Sequence, residues 1–73
     1  MTQQRIEISP EVMFGKPVIR GTRITVELIL RKLAAGQSPE EILRQHPRLT
    51  LAGIRAAQAF AADLVAGEEV VFG

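Results

Sequence analysis

The sequence has no cysteine, no tryptophan and no tyrosine, and a single histidine, His46. Without thiols there is no disulfide and no thiolate metal site, and one imidazole makes no His/Cys cluster for zinc. The same shortage argues against catalysis, because no nucleophile stands paired with a base. No apolar run approaches the length that spans a bilayer. The first residues carry Glu7 and Glu11 and lack the apolar stretch of a signal peptide. A soluble, cytoplasmic, non-enzymatic protein is therefore expected, with no cofactor, metal or small-molecule substrate.

The 73 residues make one domain, which divides into an N-terminal part (1–24), a helical core (25–67) and a tail (68–73). A chain of this size buries only about 60% of the surface its unfolded form exposes. With disulfides and metals excluded, a second subunit is the remaining source of stability.

The net charge of +1 does not announce a polyanionic partner, but its distribution is uneven. Residues 1–23 hold Arg5, Lys16, Arg20 and Arg23 against Glu7 and Glu11, whereas Arg48 and Arg55 are outnumbered in 47–73 by Asp63, Glu68 and Glu69. Residues 15–23 are the densest part, with three cations and no acid. That is a modest basic patch.

Residues 5–8 alternate polar and apolar and predict a short strand, interrupted by Ser9-Pro10. Residues 17–24 read as strand, turn, strand, with Val18 and Ile19 before Gly21-Thr22 and Ile24 after. Glycine at the first position of a two-residue loop fits a type II′ hairpin. That hairpin sets Arg20 opposite Arg23, and facing like charges cost on the order of 0.2–1 kcal/mol. Either an anion sits there, held also by Lys16, the Gly21 and Thr22 amides and the Thr22 hydroxyl, or the arginines pair with Glu7, Glu11 or Glu27. A nucleic acid phosphate is the natural anion. The stretch from Gly15 to Thr22 looks like a nucleotide-binding loop but lacks its Gly-Lys-Ser/Thr ending.

Three helices follow. Thr25 caps the first, in which Val26, Ile29, Leu30, Leu33 and Ala34 recur at the spacing of one buried face, and Gly36 ends it. Ser38, Pro39 and Glu41 open the second with a capping box, Ile42 and Leu43 are its buried residues, and Pro47 stops it. The histidine before that proline, His46, suits an interaction with terminal carbonyls. Thr50 caps a third helix over residues 51–66, closed by Gly67, and residues 68–72 read as a short strand. A mainly α fold is predicted: a three-helix, helix-turn-helix-like core with a short N-terminal β-hairpin.

The third helix is unusual. Ile54, Ala57, Ala61, Leu64 and Val65 form one apolar stripe and Gly53, Ala56 and Phe60 a second, while Arg55, Gln58 and Asp63 share one sector. Seven of its residues are alanine. Two apolar stripes exceed what one small subunit covers, so a homodimer with this helix at or near the interface is expected. The alternative is that alanine is there as a good helix former, indifferent to exposure. For base reading this helix offers only Arg55 and Gln58.

The blocks from Gly15 to Ile24 (GKPVIRGTRI), then Val26 and the helix ending Leu33-Ala34-Ala35-Gly36, then Ser38-Pro39-Glu40-Glu41-Ile42-Leu43 and Pro47-Arg48-Leu49-Thr50, resemble the family catalogued as domain of unknown function 433. The resemblance runs from about Ile6 to Ala62. It implies a small bacterial or archaeal protein with a helix-turn-helix-like domain. Some members are similar to VapB-type antitoxins, encoded beside a PIN-like nuclease toxin. By that analogy the chain inhibits its toxin and binds operator DNA to repress its own operon. The sequence departs from the family at Phe14, where many members have glycine, and at Leu51-Ala52-Gly53, where acidic residues often follow the threonine.

The candidate nucleic-acid contacts are Lys16, Arg20, Thr22 and Arg23 on the hairpin, Arg48 and Thr50 in the last turn, and Arg55 and Gln58 on the third helix. The candidate dimer or partner contacts are Ile54, Ala57, Phe60, Ala61, Leu64 and Phe72. The competing reading is a protein-interaction module or homodimeric adaptor with no DNA role.

Overall fold

The structure is a computed structural model that describes residues 5–67. Two short strands, β1 (Ile6–Glu7) and β2 (Val18–Ile19), pair antiparallel with Ile6 opposite Ile19 and Glu7 opposite Val18. Helices α1 (Val26–Ala34), α2 (Pro39–Gln45) and α3 (Leu51–Gly67) follow. The fold is mainly α, with a three-helix core and a small N-terminal ribbon. None of the described helices is long and apolar enough to cross a membrane.

The helix ends are set by local chemistry. The Thr25 hydroxyl oxygen accepts the Leu28 N–H at 3.0 Å. At the other end of α1 the Gly36 N–H bonds the Leu33 carbonyl and the Gln37 N–H reaches back to Lys32. These are the paired bonds of a Schellman ending. Ser38 and Glu41 cap each other's backbone N–H groups at the head of α2, where Pro39 needs no donor. Thr50 accepts the Gly53 N–H at 3.1 Å and so caps α3. Each such cap contributes about 1 kcal/mol.

Every element then supplies part of one core. Val18, Ile29, Ile42, Ile54 and Ala57 have no accessible surface, and Ile6, Ile19, Val26 and Leu49 close around them. In α3, Gly53 is buried against its neighbours: a Cβ there would lie 3.0 Å from Leu49 Cδ1, which would have to give by a few tenths of an ångström, and in ordinary contact at 3.6 Å from Ile19 Cγ2. The first turn of α3 thus rests directly on β2.

This packing corrects the expected interface. Ile54 and Ala57 are enclosed in the subunit's own core rather than presented to a partner. The two apolar stripes of α3 are both covered along its first half, where Gly53, Ile54, Ala56 and Ala57 are buried. Cover falls away along the second half of α3, where Phe60 and Ala61 are half-buried and Leu64 and Val65 are 55% and 68% exposed. Phe72 and the expected strand over residues 68–72 lie outside the described residues.

The hairpin also differs from expectation. The turn is closed by the Thr22 N–H on the Ile19 carbonyl at 3.0 Å. Gly21 is third in it, with a left-handed φ of 80°. That is the position at which a type II turn needs a positive φ. The Ile19 N–H bonds the Ile24 carbonyl at 2.9 Å, so the loop spans residues 20–23 and Arg20 no longer faces Arg23 as a cross-strand pair. Ile24 lies outside a strand, and Thr25 makes the bridge to Val18. The Thr22 hydroxyl selects this longer loop, donating to Ile19 O at 2.7 Å and accepting the Ile24 N–H at 3.0 Å.

Between the strands, Met13–Gly15 forms a left-handed turn with φ of 51°, 59° and 82° in succession. Left-handed backbone costs a non-glycine residue about 1–2 kcal/mol. The Phe14 ring, 95% exposed, recovers none of it within the subunit. Phe14→Gly should therefore raise unfolding stability by up to about 1 kcal/mol after the added chain entropy is deducted. Urea denaturation checks this, and a lower midpoint would mean that the ring makes a stabilising contact.

Candidate nucleic-acid interface

Three segments far apart in sequence meet at the head of α3. Arg5 and Arg20 come from the ribbon, Arg48 and Thr50 from the link between α2 and α3, and Arg55 from the second turn of α3. They border a shallow groove of about 870 Å³ whose other lining is Ile19 and the small residues Ala52, Gly53, Ala56 and Ala59. Among the described residues, no acidic side chain lines it.

The backbone explains the placement. The Arg20 N–H donates to the Arg5 carbonyl at 2.7 Å, extending the β1–β2 pairing and holding the two arginines side by side. The Arg20 Nη2 also reaches the Ile6 carbonyl at 3.4 Å. Arg48 sits in a turn closed by the Leu49 N–H on His46 O at 2.9 Å. Arg55 donates from Nη1 to Gln58 Oε1 at 2.9 Å, so the two side chains expected to read bases are bonded to each other.

Four guanidiniums around one groove give a concentrated positive field, and each offers the planar fork that grips a phosphate with two hydrogen bonds. The amino end of α3 adds the partial positive charge of its first turn. The alanines and Gly53 leave room for a backbone to come close.

The remaining candidates are dispersed. Lys16 bonds Glu27 at 3.2 Å beside α1 and does not line the arginine groove. Thr22 spends both its donor and its acceptor capacity inside the turn. Arg23 and Thr22 line a different cleft with Glu7, Leu28 and His46, and Arg48 borders both. The anion site expected at Lys16, Arg20, Thr22 and Arg23 is therefore not assembled, because the four-residue loop sends Arg20 and Arg23 to different grooves. It is the backbone N–H of His46 that bonds a terminal carbonyl, that of Ile42 at 3.0 Å; its ring Nε2 is buried without a hydrogen-bond partner among the described residues.

Arg5 is the groove residue that sequence reasoning passed over. Its charge was visible in the N-terminal basic excess. Its place beside Arg20 follows only from the strand register.

With the groove defined, relatives can be compared. Residues 6–61 match the family described as "Protein of unknown function (DUF433)". The chain belongs to the DUF433 family. It is 41% identical over 66 residues to "Uncharacterized protein y4eO" of Sinorhizobium fredii (strain NBRC 101917 / NGR234), covering 89% of this chain and 30% of that one. It also superposes with a TM-score of 0.79 and 33% identity on the crystal structure of a DUF433 member protein from Anabaena variabilis ATCC 29413. That match covers 84% of this chain and 60% of the other. This DUF433 chain thus spans less than a third of the first relative and three-fifths of the second. The family match takes in Arg20, Arg48 and Arg55, starts one residue after Arg5, and stops before the exposed Leu64.

Glu27 is the acid with a clear electrostatic role in this DUF433 chain. The hydrogen bond from Arg31 and then that from Lys16 hold its carboxyl below the ordinary 4.5. A lowered carboxyl contributes stability at pH above its ordinary value and loses it as pH falls through the lowered one. The groups are exposed, so the contribution is small and salt-sensitive. In an NMR titration Glu27 should ionise below 4.5, and Arg31→Gln should move it back up. An unmoved titration would show that the pairing does not persist in solution.

Proposed function

We propose that this DUF433 chain binds DNA, laying the arginine groove at the head of α3 on the phosphate backbone as an antitoxin-type repressor does. The convergence of Arg5, Arg20, Arg48 and Arg55 on one groove carries the reading. Like charges gathered on a small domain repel one another, and a polyanion laid across them relieves that repulsion. Phosphate contacts supply most of the affinity, since α3 offers few polar groups to base edges. Arg55 is the side chain placed to read a guanine, steadied by Gln58. Holding a PIN-like nuclease is the other half of an antitoxin's work; the outward Phe14 ring supports a protein contact there.

A protein-interaction module without a DNA role is the second reading, favoured by the exposed Leu64 and Val65. A gel shift against the DNA upstream of the chain's own gene separates the two. Binding should appear at low salt and weaken as salt rises. Arg48→Ala and Arg55→Ala, both at exposed positions, should each lower affinity with the fold intact. Arg48→Ala should also reduce the salt slope by about 1, whereas Arg55→Ala should relax the preference at one base position. No shift at low salt would remove the DNA reading, and full affinity in both variants would move the site away from this groove.

A further inference from the structure

A second groove lies between α1 and the second half of α3. Val26, Leu30, Ala34, Phe60, Ala61 and Leu64 make its apolar wall, and its volume is about 470 Å³. Glu27 and Arg31 stand together on its rim. We infer that this groove is a self-association surface, in which a second copy of the chain seats the exposed half of its α3, Leu64 foremost, against α1 of the first.

Three observations single out a second copy as the occupant. The groove suits an apolar ridge on a helix, and the second half of α3 carries one that the subunit leaves exposed at Leu64 and Val65. The wall contains Ala34 and Ala61, whose small side chains let another helix approach closely. The rim carries one acid and one base four residues apart, bonded to each other at 3.0 Å. In a twofold interface each contact occurs twice with roles exchanged, so a rim bearing both signs is its own complement. Glu27 of one copy meets Arg31 of the other, and the reverse. Arg31 has donors to spare, because it engages Glu27 through Nε alone and its side chain is 77% exposed.

The arrangement stands apart from the DNA reading, but it has a bearing on it. Two α3 helices overlapping at their far ends would set their arginine grooves a few tens of ångströms apart. That is on the scale of the roughly 34–36 Å that separates half-sites one turn apart on DNA.

Sedimentation equilibrium of the full chain over the micromolar range tests the proposal, with circular dichroism to confirm folding. The chain should be dimeric, and Leu64→Lys, outside the core, should weaken association by about tenfold or more. Glu27→Arg and Arg31→Glu should each weaken it too, and an equimolar mixture of these two variants should associate more tightly than either alone. A monomer at all concentrations would overturn the proposal. So would a dimer indifferent to Leu64→Lys, or a mixture no better than its components. A monomer that dimerises only after deletion of residues 68–73 would give the groove to the chain's own segment and overturn it equally.

Discussion

Ile19 is the residue where the ribbon's two pairings meet, and both of its own backbone hydrogen bonds go to the loop side. It lies opposite Ile6 of β1 on one side, and on the other its N–H reaches Ile24 while its carbonyl accepts the amide and the hydroxyl of Thr22. A buried backbone cannot leave such groups unsatisfied, and a domain this small has few other partners to offer. Its side chain meanwhile lies under the first turn of α3, close against Gly53. The arginine groove is a consequence. Arg5 and Arg20 leave from the two strands that this residue joins, and Arg55 leaves from the helix that rests on it.

What could be read from the sequence was what acts over three or four residues. Thr25, the Ser38–Glu41 pair and Thr50 each cap a helix through bonds no longer than that span, and the 3.6-residue period of α1 named the buried Val26 and Ile29. Where the outcome depends on distant residues the sequence was ambiguous. Glycine serves a turn at either position that requires positive φ, and the choice at Gly21 fell to the Thr22 hydroxyl. The period of α3 gave the direction of its apolar face but not how far along it cover extends. That limit depends on the packing of the other elements, and so Ile54 and Ala57 became core while Leu64 on the same side stayed outside. The candidate site divided in the same way. Arg20, Arg48, Thr50 and Arg55 could be nominated from charge and turn position, whereas Arg5 needed the strand register.

The two grooves belong to opposite ends of α3 and obey different physics. One is a ring of guanidiniums over small side chains, attractive to anions at a distance and weakened by salt. The other is apolar and short-ranged, with a rim of mixed sign that favours correct alignment over affinity.

The alanines of α3 serve its two halves differently. Ala56 and Ala57 are buried where neighbours press close, but Ala59, Ala62 and Ala66 are exposed and gain little from packing. Alanine is the residue that winds most readily into a helix without tertiary support. The exposed half is therefore wound in advance of any contact. A molecule docking on it has no coil to order first, and that spares the association much of the conformational entropy that a flexible segment would forfeit.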